Sequence, residues 1–155
     1  MSRSKIIKKR PVETDPLYKS RVVNRVINKV MVGGRKELAR NLVYKALAKI
    51  NEDKKEALRI FEQAIKNIMP QQEVRSRRVG GANYQIPIPL KHDRSEALAI
   101  RWLVDLSRKQ KGKDFDEILA AEIQSAINNQ GEAIKKRDDM HRMAEANKAF
   151  AHFRW

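Results

Sequence analysis

Five stretches of this chain space their apolar residues three or four apart, and one stretch in the middle does not. Val22, Val23, Val26, Ile27, Val30 and Met31 form a stripe of helical period that Gly33-Gly34 ends. Leu38, Leu42, Val43, Ala46, Leu47 and Ile50 repeat it, and Leu58, Phe61, Ile65 and Ile68 make a third stripe stopped by Pro70. A fourth helix is expected over about 95–109, with Leu98, Trp102, Leu103 and Leu106 inward. The fifth opens at Asp114, whose carboxylate can cap with Glu117 three residues on, and buries Phe115, Ile118, Leu119, Ile123 and Ile127 before Gly131. A sixth, over about 132–149, is polar enough to be expected on the surface.

The interruption lies between Pro70 and Pro89. Glu73 to Val79 and Tyr84 to Ile88 flank Gly80-Gly81-Ala82-Asn83, two extended runs around a glycine turn, which predicts a β-hairpin over about 72–89. Tyr84, Ile86 and Ile88 alternate toward one face, and Pro87 cannot donate to a ladder, so its strand should be an edge. The expected fold is mainly α: a six-helix, bundle-like domain over 17–155 with a protruding hairpin, packed only at its base. A disordered basic arm over 1–16 precedes it, interrupted by Pro11 and Pro16.

At 155 residues the chain suits one domain with a real core. It has no cysteine, which excludes a disulfide scaffold and a thiolate metal site. No apolar run approaches the ~20 residues of a membrane-spanning helix, and no apolar segment follows the N-terminal charges as in a secretory signal. The net charge of +15 is the most informative number, because it calls for a polyanionic partner, nucleic acid before an anionic membrane surface. The excess is uneven. Residues 1–34 hold nine Lys/Arg against two acids, whereas 111–131 hold two against four, so one side of the domain is expected to bind and another to face water or protein.

Candidate contacts follow from that distribution. Arg3, Lys5, Lys8, Lys9 and Arg10 in the arm, and Arg35-Lys36 after the glycine turn, can meet a phosphate backbone. Arg94, Arg101 and Arg108 are spaced by seven, which keeps them in one line on the fourth helix, extended by Lys109. Arg75, Arg77 and Arg78 make the hairpin cationic, and Tyr84 is an aromatic able to stack on an unpaired base. Phe150, His152, Phe153 and Trp155 form a terminal aromatic group that can dock on this domain or on a neighbouring protein. No catalytic constellation emerges. His92, His141 and His152 lack a metal-ligand pattern, His141 and Glu145 read as a surface ion pair, and Gly33-Gly34-Arg35-Lys36 lacks the spacing of a nucleotide-binding loop.

Longer stretches go beyond these arguments. Glu73-Val74-Arg75-Ser76-Arg77-Arg78-Val79-Gly80-Gly81-Ala82-Asn83-Tyr84-Gln85-Ile86-Pro87 strongly resembles the bacterial-type small-subunit ribosomal protein S-seven family. So do Ala97-Leu98-Ala99-Ile100-Arg101-Trp102-Leu103 and the ending His141-Arg142-Met143-Ala144-Glu145-Ala146-Asn147-Lys148-Ala149-Phe150-Ala151-His152-Phe153-Arg154-Trp155. Asp15-Pro16-Leu17-Tyr18 and Gly34-Arg35-Lys36 fit the same pattern, so the resemblance spans essentially the whole chain. It begins near residue 2, an expectation that leaves no room for an added targeting peptide.

The resemblance implies six helices with a protruding hairpin, no cofactor and no enzymatic activity. It implies a structural constituent of the small ribosomal subunit that binds the 3′ major domain of its rRNA and nucleates assembly of the head. The hairpin would lie near the exit-site tRNA and the mRNA exit path, with Arg75, Arg77, Arg78 and Gly80, Gly81, Ala82, Asn83 and Tyr84 carrying that contact. Other head proteins and the platform protein S-eleven would be neighbours, the latter reached partly through the C-terminal helix, with Phe150, Phe153 and Trp155 as protein contacts. The expected setting is the cytoplasmic ribosome of a bacterium or the ribosome of an organelle, with no membrane and no obligate homo-oligomer. Two other classes share the charge. A helical DNA-binding protein would present a recognition helix and usually a dimer seam, and an RNA-modifying enzyme would need a cofactor loop; the sequence shows neither.

Overall fold

The computed structural model describes residues 11–153. Three helices, α1 (Arg21–Val30), α2 (Lys36–Ile50) and α3 (Lys54–Ile68), precede a hairpin of β1 (Gln72–Val79) and β2 (Ala82–Pro89). Then follow α4 (His92–Lys109), α5 (Phe115–Ile127), α6 (Glu132–Ala146) and a short 3₁₀ helix over Lys148–Phe153. The expected mainly helical fold with one hairpin is the fold observed.

α5 lies at the centre, packed against α2, α3, α4 and α6. Its Leu119 and Ile123 meet a core built from Val23, Val26 and Ile27 of α1, Val43 and Leu47 of α2, Phe61 and Ile68 of α3, and Leu103 and Val104 of α4. α1 and α3 supply one apolar stripe each, as the 3.6-residue period predicts, whereas α4 buries consecutive positions from Leu98 to Ile100 and from Trp102 to Val104. Local chemistry sets the boundaries. The Asp53 carboxylate accepts from the Lys55 N–H at 3.1 Å to start α3, and Pro70 follows its end. The Pro70 carbonyl in turn accepts from Ser95 Oγ at 2.6 Å, which fixes α4 against the hairpin's root.

The hairpin register pairs Val79 with Ala82, leaving Gly80 and Gly81 as a two-residue loop. Both have positive φ, 57° and 91°, as a tight loop matched to strand twist requires. At the other end the Leu90 N–H donates to the Gln71 carbonyl at 2.9 Å.

Five details differ from the sequence reading. The hairpin is not packed only at its base: α6 lies along β1 and the 3₁₀ helix along β2, giving an otherwise marginal ribbon an apolar backing. α6 is accordingly no plain surface helix, since Ala133, Ile134 and Ala144 are buried and the Arg137 guanidinium donates to the Asn67 carbonyl. It stops at Ala146 rather than near 149. Leu38 points outward at 55% exposure, because Ala39 and Val43 take the inward positions of α2. Asp114 makes no side-chain capping bond, and Glu117 instead accepts from Lys49 Nζ of α2 at 3.1 Å.

The body also reaches into the segment read as arm. Asp15 is 1% exposed; its Oδ2 accepts from the Leu17 and Tyr18 N–H groups, and the Tyr44 hydroxyl donates to Oδ1 at 2.8 Å. Burial, then the bond and charge of Asp15, push the Tyr44 hydroxyl up to about 12.

Candidate nucleic-acid interface

α1 and α4 lie side by side and share an ionic seam. Arg21, Arg25 and Lys29 recur every four residues on α1, which puts them on one face. They meet Asp93, Glu96 and Asp105 of α4 at 3.5, 2.7 and 2.9 Å. The sequence reading did not pick out this triplet, although its i, i+4 spacing was visible. The matching acids lie about seventy residues away, where no local pattern announces them.

The three arginines in line on α4 have different surroundings. Arg94 bonds Glu73 of β1 through Nε at 3.3 Å and Nη2 at 3.1 Å. Arg108 donates through Nη2 to the Val30 carbonyl at 2.7 Å, satisfying an end of α1 that has no further turn to bond. Arg101 is exposed and lines a cleft with Arg25, Asn28, Lys29 and Val12. A second cleft beside it, of about 600 Å³, is lined by Pro11, Arg21, Arg25, Lys91 and Arg94, with Asp93 the one acid among the described residues. Pro11 and Val12 therefore lie at a cationic face built from α1 and the first half of α4. Arg3, Lys5, Lys8, Lys9 and Arg10 lie outside the described residues, as does Trp155.

Arg35 and Lys36 are exposed at the start of α2, where Arg35 shares a groove with Arg108; Lys109 is exposed at the end of α4.

On the hairpin, Arg75 is held by Glu73, with Nη2 to Oε1 at 2.6 Å, and Arg78 is exposed. Glu73 is buried between Arg75 and Arg94. Burial alone would push its carboxyl up, but the two guanidinium bonds outweigh it and hold the group below the ordinary value. Gly80 to Asn83 form the exposed tip. Tyr84 packs against Phe150 and Phe153, with ring centroids 5.1 and 5.4 Å apart, so two terminal aromatics sit on the chain's own hairpin.

His141 does not pair with Glu145 as read from sequence; its Nε2 accepts from the Gln71 N–H at 3.0 Å and ties α6 to the start of the hairpin. Among the described residues, His92, Asp93 and Glu96 place potential ligand atoms within 4.8 Å of one another. The guanidinium groups of Arg21 and Arg25 occupy the two carboxylates and compete with any cation.

The geometry thus offers clefts between paired arginines, suited to phosphate oxygens, and an arginine-bearing hairpin. The family model described as "Ribosomal protein S7p/S5e" matches residues 2–148. Curated relatives named "Small ribosomal subunit protein uS7" align over the full length of both chains: 51% identical from Carboxydothermus hydrogenoformans, 51% from Pelotomaculum thermopropionicum and 50% from Pelagibacter ubique. On a match that covers nearly every residue, this chain belongs to the S7p/S5e family of ribosomal proteins.

Proposed function

We propose that this chain is a structural, non-enzymatic constituent of the small ribosomal subunit of a bacterial-type ribosome. It binds the 3′ major domain of the rRNA and nucleates assembly of the head. The observation that carries the reading is the α1–α4 face, where Arg21, Arg25, Lys91, Arg94 and Arg101 line two adjoining clefts at the root of the basic arm. Arginine forks in such clefts neutralise phosphates and release counterions, so affinity falls steeply with salt. Selectivity comes from the shape of a folded junction, because A-form RNA hides its base edges in a deep groove.

The hairpin has a separate task. Its arginines and exposed glycine tip lie near the exit-site tRNA and the mRNA exit path, while the C-terminal segment reaches neighbouring proteins, S-eleven among them. The Tyr84–Phe150–Phe153 contact makes the hairpin and that segment one unit, which supports a shared position at the subunit's edge.

The test is reconstitution of the 3′ major domain RNA with the other head proteins, with and without this chain. Omission is expected to leave the RNA largely bare of the later-binding proteins. Assembly that proceeds equally well without it would overturn the nucleating role.

A further inference from the structure

An open groove of about 510 Å³ lies beside the C-terminal end of α1, lined by Val32, Arg35, Leu38, Leu42, Arg108 and Phe115, among others. Two of these stand out against the rest of the surface: Val32 is 66% exposed and Leu38 55%. They flank Leu42 and Phe115, which are half-buried, so the apolar surface is continuous into the groove. Among the described residues, the lining contains two guanidinium groups and no carboxylate. Arg108 is held in place by its bond to the Val30 carbonyl, and Arg35 makes no capping bond to α2.

An apolar slot between two guanidinium groups, one of them held in place, fits a ligand that is flat and apolar in one part and anionic in the next. We propose that this groove receives a single unpaired RNA nucleotide, its base against Leu38, Leu42 and Phe115 and its phosphate between Arg35 and Arg108. The inference rests on the rRNA-binding reading and deepens it: the cationic clefts follow a backbone, whereas this groove takes a base out of the stack. Charge complementarity decides the occupant, since a basic protein tail would meet two like charges and RNA supplies the anion and the flat face together.

The test uses the full chain and a junction fragment of the 3′ major domain RNA. Leu38→Asp puts a like charge against the ligand at an exposed site in the first turn of α2, where an acid does not harm the helix. It is expected to weaken binding by about tenfold or more, the scale of one lost base contact. Leu17→Asp, an identical charge change at another exposed apolar residue, is expected to cost much less, and Leu38→Phe to retain affinity. A diazirine-bearing aliphatic amino acid at position 38 should crosslink to the base of one nucleotide. Equal losses from Leu38→Asp and Leu17→Asp, or crosslinks to paired regions only, overturn the groove while leaving rRNA binding intact. Crosslinking to a protein neighbour in the assembled subunit also overturns it, in favour of a peptide occupant. Failure of the unmodified chain to prefer the junction is a different result and removes the rRNA-binding reading itself.

Discussion

Arg94 on α4 donates from Nη2 to Glu73 Oε2 on β1 at 3.1 Å, fastening the root of the hairpin to the helix that carries the cationic face. The other Glu73 oxygen holds Arg75. One buried carboxylate therefore joins an arginine of the hairpin to an arginine of α4.

Replacing that carboxylate should be costly. Glu73→Gln leaves two guanidinium groups without their anion, and a loss of about 1–3 kcal/mol is expected, the scale of a hydrogen bond to a charged group. The folded carboxyl titrates below its ordinary 4.5, so its contribution is fully present above that value and is lost as pH falls through the lower folded one. Urea midpoints through the acid range should show this slope in the parent protein and a shallower one in the variant. Identical slopes would contradict the account.

Tyr44 behaves in the opposite sense. Its hydroxyl is pushed up to about 12 from 10.0 by burial and then by its bond to Asp15, so its contribution is complete below 10.0 and fades as pH rises through about 12. Tyr44→Phe leaves the buried Asp15, among the described residues, with the Leu17 and Tyr18 N–H donors, and about 1–3 kcal/mol of stability should disappear at neutral pH. Ultraviolet titration should lose its latest phenolate in this variant; retention of that phase would assign it elsewhere.

The terminal aromatics should stabilise the hairpin and little else. Phe150→Ala removes a half-buried ring 5.1 Å from Tyr84, and a cost of about 1–2 kcal/mol is expected, part burial and part ring contact. Amide exchange should quicken in β2 and stay unchanged in α1 to α5. Exchange that quickens everywhere, or nowhere, would rule out a local strap.

Arginine loss on the hairpin should separate two functions. With Arg77→Ala and Arg78→Ala together, affinity for the rRNA junction should fall no more than about threefold, while exit-site tRNA occupancy on reconstituted subunits drops. The small loss is expected because these residues lie away from the α1–α4 clefts, and each phosphate contact contributes separately to the salt-dependent term. Failure of head assembly in this variant would contradict the separation.

What could be read from the sequence follows from which interactions are local. The stripes Val23-Val26-Ile27 and Ile118-Leu119-Ile123 announce their helices because neighbours on a helix face are neighbours in sequence. Gly80-Gly81 announces the hairpin because only glycine suits two successive positive φ angles at no cost. The cover over that hairpin was not legible, since Tyr84 and Phe150 are joined only by tertiary packing. The same holds for Arg94 and Arg108, whose spacing suggested one row of phosphate contacts but whose guanidinium groups also bond Glu73 and the end of α1. Leu38 fits the helical period of α2 yet faces out, because Ala39 and Val43 take the inward positions of that helix.

The central claim is selective recognition of a folded rRNA junction by the cationic face. The most direct test compares binding to a 3′ major domain junction fragment with binding to a scrambled duplex of equal length, at about physiological salt, where equal charge cancels the nonspecific term. A preference for the junction of about tenfold or more is expected, with both affinities falling as salt rises. Equal affinity for the two RNAs would reduce the α1–α4 clefts to a generic polycation and contradict the account.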